Sequence, residues 1–97
     1  MKKRIPYGLP KDIVLLATPE GWRHSTLTVE GAMVCGRLSD VPIDAAPAEA
    51  RAAATAMLVG LAREFHDADV EVTWNPPRET RSWTAHITPV VTAPPND

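Results

Sequence analysis

Three histidines, one cysteine and three tryptophans carry most of the chemistry open to this chain. His24, His66 and His86 lie too far apart in sequence to share the spacing of metal ligands. His66 with Asp67 and Asp69 is the nearest approach to a metal cluster. A histidine at that place more simply complements the negative end of a helix dipole, so no metal is expected. Cys35 falls in an apolar stretch, where a buried and inert thiol is expected. Ser25, Ser39 and Ser82 stand in no nucleophile-elbow or Ser-x-x-Lys pattern. Glycine-rich phosphate loops and paired-cysteine motifs are absent from the sequence. The reading is of a non-catalytic protein without a cofactor.

The aromatic residues point instead to contact. Trp74 and Trp83 alternate in step with apolar neighbours, and they are expected in the core or at a hairpin end. Beside Arg78 and Arg81 they could also stack nucleobases. Trp22 alternates with His24, Thr26 and Thr28 on what reads as a polar strand face. That makes it the candidate exposed anchor of an interface.

These side chains need strands and one helix to position them. The single long helical signal is residues 47–66. Five of the seven residues from 50 to 56 are alanine, the best helix former. Pro47 suits a first helical position, and Glu49 suits the positive end of the dipole. Ala50, Ala54, Met57, Leu58, Leu61, Ala62 and Phe65 recur at helical spacing as one apolar stripe. Gly60 interrupts it, at a site expected to pack close to another backbone.

Around this helix the pattern is of strands. Ile13-Val14-Leu15-Leu16 is a continuous apolar run, expected to be buried on both faces. Thr18-Pro19-Glu20-Gly21 is a turn. Residues 22–30 and 32–38 complete a three-stranded meander, with Gly36 marking a bulge or a close approach to the helix. Beyond the helix, Val70, Val72 and Trp74 alternate with polar residues, as do Trp83, Ala85 and Ile87. Their simplest pairing sets Trp74 opposite Trp83, Val72 opposite Ala85, and Glu71 opposite His86. The predicted fold is α+β: an antiparallel sheet of about five strands, ordered β-β-β-α-β-β, with the helix on one face. Glu71, Thr73, Thr84 and His86 are then expected on the other face, with His24, Thr26 and Thr28.

The 97 residues are read as one domain: a basic arm over 1–10, a folded core over 11–90 and a disordered tail over 91–97. Net charge is −2, which gives no global attraction to nucleic acid or anionic membrane. No apolar run approaches a membrane span. A single cysteine fits a reducing, cytoplasmic setting.

The strand, Pro19-Glu20-Gly21 turn, two further strands and helix with Glu49-Ala50-Arg51-Ala52 are similar to the HicB-like antitoxin fold over residues 12–66. Gly31-Ala32-Met33-Val34-Cys35-Gly36 stands where that family has a Pro-Gly-Cys stretch, and no DNA-binding appendage follows residue 90. Three functional expectations result. The first is a protein-interaction module, a homodimer or a subunit of a complex, using Trp22, His24, Thr26, Thr28, Glu71, Thr73, Thr84 and His86. The alternative is a nucleic-acid-associated regulator, antitoxin-like, using Lys2, Lys3, Arg4, Arg78 and Arg81. The last is a small-ligand binder or enzyme using His24 and His86.

Overall fold

A computed structural model describes residues 8–38, 40–79 and 81–90. The expected arm residues before 8 and the expected tail after 90 lie outside these. Five strands and one helix follow in the predicted order: β1 (Pro10–Thr18), β2 (Gly21–Thr28), β3 (Met33–Arg37), α1 (Pro47–His66), β4 (Val70–Trp74) and β5 (Ser82–Pro89). The strands form one antiparallel sheet in the order β3-β2-β1-β5-β4. β1 is therefore the central strand. Pro10, assigned to the arm by sequence, starts it opposite Thr28, with a register shift between Pro10 and Asp12. A first strand position tolerates a residue without an N–H.

Helix α1 leaves the β3 edge and returns at the β4 edge, so it must cross the sheet. Twenty residues span about 30 Å and five strands about 24 Å, so one helix covers the width. Its start has Pro47 at the first positions and Glu49 in the first turn. Its end is stopped by Asp67 in the left-handed conformation (φ 50°), with Asp67 N donating to Arg63 O and Ala68 N to Ala62 O. Those two bonds satisfy carbonyls that the last turn would leave open.

The buried line of α1 is Ala50, Ala54, Leu58 and Ala62, stepping by four. Three of the four are alanine, so the helix backbone lies close to the sheet. Leu61 and Phe65 are only half-buried, to one side of that line. Gly60 departs from expectation, because a Cβ there would meet nothing within 4 Å. Gly36 pairs regularly with His24 and makes no bulge. The helix covers Ile13, Leu15, Trp22, Trp83, Ala85, Ile87 and Val70 on the near face of the sheet.

The far face is bare among the described residues. This corrects the expectation for β1: Ile13 and Leu15 are 1% and 0% exposed, whereas Leu16 is 37% exposed. The hairpin register is also corrected. Val72 pairs with Ile87, Thr73 with His86 and Trp74 with Ala85, a slip of two residues from the shortest loop. A two-residue slip preserves every face, so the apolar side of the hairpin still meets the helix. Trp74 gains from the slip: its Nε1 donates to Thr55 Oγ1 on α1 at 3.0 Å.

Candidate functional site

The turn at Pro19-Glu20 decides which residues reach each face. It pairs Thr18 with Gly21, which sets Ala17 opposite Trp22, Leu15 opposite His24 and Ile13 opposite Thr26. Directly opposed residues share a face. Because Leu15 and Ile13 are core, Trp22, His24, Thr26 and Thr28 are core as well, and they lie under the helix. This overturns their assignment to the polar face. Trp22 is 4% exposed; it packs on Trp83 with ring centroids 5.3 Å apart and donates from Nε1 to Ala45 O at 3.3 Å. It is no exposed anchor.

The buried polar groups of β2 have partners. His24 Nδ1 and Thr26 Oγ1 share a hydrogen bond at 3.0 Å, and Thr28 Oγ1 accepts from Ala32 N at 3.1 Å. His24 and Thr26 line a cavity of about 20 Å³ beneath Leu58 and Leu61, with His66 at its rim. That is room for about one water molecule. Burial holds the His24 imidazole below its ordinary pKa of 6.5, and the neighbouring Arg23 guanidinium adds to the effect. The alternation of Leu27 and Val29 misled the sequence reading. Leu27 lies on the bare face, and Val29 is in the turn, 57% exposed.

The bare face can be laid out in rows across the sheet. One row runs Met33, Leu27, Asp12, His86, Thr73; the next runs Cys35, Ser25, Val14, Thr84; the third runs Arg37, Arg23, Leu16, Ser82. Glu71 lies beyond, opposite Thr88. Glu71, Thr73, Thr84 and His86 thus occupy the face expected of them. His24 and His86, grouped by sequence, lie on opposite sides of the sheet.

Two features here were not legible in the sequence. Asp12 Oδ1 accepts from His86 Nδ1 at 2.6 Å across 74 residues of chain. Cys35, expected buried, is exposed on β3, with its Sγ 3.3 Å from Ser25 Oγ. The apolar part of this face is Val14, Leu16, Leu27 and Met33 on three adjacent strands; Leu16 and Met33 are 37% and 58% exposed.

Among the described residues, Arg78 and Arg81 line separate clefts. Lys2, Lys3 and Arg4 lie outside the described residues. Arg78 and Arg81 are exposed near the β4–β5 loop, Arg78 beside Asn75 and Pro77, Arg81 beside Ala17 and Pro19. No three His, Cys, Asp or Glu side chains among the described residues come together as metal ligands. Asp69 pairs with Arg63 at 2.8 Å. No helix among the described residues is long and apolar enough to cross a membrane. No family model, curated protein or solved structure matches this chain.

Proposed function

We propose that the protein is a small non-catalytic interaction module that self-associates through the bare face of its sheet. One observation carries this: Val14, Leu16, Leu27 and Met33 form an aliphatic patch across β1, β2 and β3, on the face that α1 leaves uncovered. An antiparallel sheet with a polar outer face is stable in water as it stands, whereas aliphatic side chains on that face gain from a second layer. The face projects to about 500 Å² from strand spacing and length, which is of the order of the 800 Å² per partner in a stable pair.

The second layer is a copy of the same chain, because the charges of the face are arranged for it. Arg23 and Arg37 sit directly opposite each other at one corner, and Glu71 at the diagonal one. Like charges opposed on a sheet are unfavourable alone. Two copies stacked face to face about a two-fold axis bring each arginine corner over the partner's acidic corner. Size-exclusion chromatography with light scattering tests the proposal: the parent chain elutes as a dimer, and Leu16→Glu with Met33→Glu as a folded monomer. A parent chain that stays monomeric at high concentration refutes it.

A further inference from the structure

Residues 75–79 of the loop joining β4 to β5 form a cleft of about 660 Å³ with Ser82, Thr84 and His86 at one end of the bare face. That volume lies within the range of about 300–1,000 Å³ typical of small-molecule sites. Both ends of the loop are tied down. Asn75 N donates to Thr84 O at 2.9 Å, Asn75 Nδ2 donates to Thr84 Oγ1 at 3.0 Å, and Glu79 bridges to Ser82. Pro76 and Pro77 have fixed φ and no N–H, so the wall between these ties is stiff and apolar.

The polar groups in the cleft are of two kinds. Arg78 is an exposed cation and Glu79 an exposed anion, and neither has an ion-pair partner among the described residues. Thr84 accepts from Asn75 through Oγ1, which leaves its O–H free to donate. His86 has Nδ1 committed to Asp12, so in the neutral imidazole its Nε2 is the nitrogen left to accept. The cleft thus offers donors for an oxyanion (Arg78, Thr84) and acceptors for an ammonium group (Glu79, His86), beside an apolar wall. A purely anionic ligand meets Glu79, and a purely cationic one meets Arg78.

We infer that this cleft binds a small zwitterion of the free α-amino-acid class, with its apolar side chain against Pro76 and Pro77. The cleft occupies the β5 end of the face proposed for self-association, so the titration is run on chain that light scattering shows to be monomeric, where a failure to bind counts against the cleft alone.

Amide NMR titration of the full chain tests it with three probes that share one isobutyl group. L-Leucine carries both charges, 4-methylpentanoate lacks the ammonium and 3-methylbutylamine lacks the carboxylate. L-Leucine should shift the amides of Asn75, Ser82, Thr84 and His86 and saturate near a millimolar Kd, with each single-charge probe at least about tenfold weaker. Arg78→Ala and Glu79→Gln, both at exposed positions, should each weaken L-leucine at least about tenfold while leaving the remaining spectrum in place. The inference is overturned if no probe shifts these amides up to about ten times that concentration, or if either single-charge probe binds as well as L-leucine. It is equally overturned if both variants bind like the parent.

Discussion

His24 shows how a polar residue inside this fold couples folding to pH. Its imidazole is buried between β2 and the helix, so the charged form is disfavoured in the native state. The unfolded chain therefore takes the proton first. This contribution to stability is complete above the unfolded pKa of 6.5 and is lost progressively as pH falls below it. The melting temperature should drop between about pH 7.5 and about pH 5.5, and His24→Gln, which keeps a partner for Thr26, should flatten that slope. A variant slope as steep as the parent's would assign the loss to other groups. Leu58, fully buried at the centre of the helix line, should cost about 2–5 kcal/mol when changed to Ala; half-buried Leu61 should cost less, and exposed Glu64 under about 0.5 kcal/mol. Gly60→Ala should stabilise by roughly 0.5–1 kcal/mol, because a methyl group there meets open space and removes backbone freedom from the unfolded chain. Chemical denaturation of the four variants checks all of these values.

At the scale of elements, the strands and helix were legible because their periods are strong. Val70-Val72-Trp74 and Trp83-Ala85-Ile87 can hardly be read as anything but half-buried strands, and the alanine-rich run as anything but a helix. Two things were not legible. The face of β2 depended on a two-residue turn rather than on its own hydrophobicity, since His24, Thr26 and Thr28 look polar and yet lie inside. The hairpin register depended on the loop, and periodicity cannot tell a shift of two residues from none. The sheet order now makes a prediction of its own. β2, β1 and β5 are hydrogen-bonded on both sides, whereas β3 and β4 each have a free edge. In hydrogen exchange the amides of Ile13, Leu15, Trp83 and Ala85 should be the slowest, and those of β3 the fastest among the strands. Protection in β3 equal to that in β1 would mean its edge is covered in solution.

Among the described residues the whole molecule has two layers, the sheet and the helix on one of its faces. The site residues divided accordingly. Glu71, Thr73, Thr84 and His86 were placed on the bare face by simple alternation, but the pairing of Asp12 with His86 bridges the first strand and the last, and no local pattern carries it. Cys35 offers a direct probe of that face. It is exposed on a single chain, so self-association through the bare face should slow its alkylation as protein concentration rises. The Leu16→Glu, Met33→Glu chain should react at a rate independent of concentration. Equal dependence in both chains would move the contact elsewhere.

Trp22 and Trp83 stand on the two strands that flank β1, opposite Ala17 and Leu15 respectively, and meet above it. Two indoles tilted by 50° at this separation share their electronic excitation, so the fold carries its own optical signal. A circular-dichroism couplet should arise from the pair and vanish when either ring is replaced by phenylalanine. Trp74, bonded to the helix instead, should contribute nothing to it. Because the rings come from β2 and β5, the couplet forms only when the meander and the final hairpin have both docked on β1. Stopped-flow dichroism at that wavelength would time the closing of the sheet, separately from the helix signal.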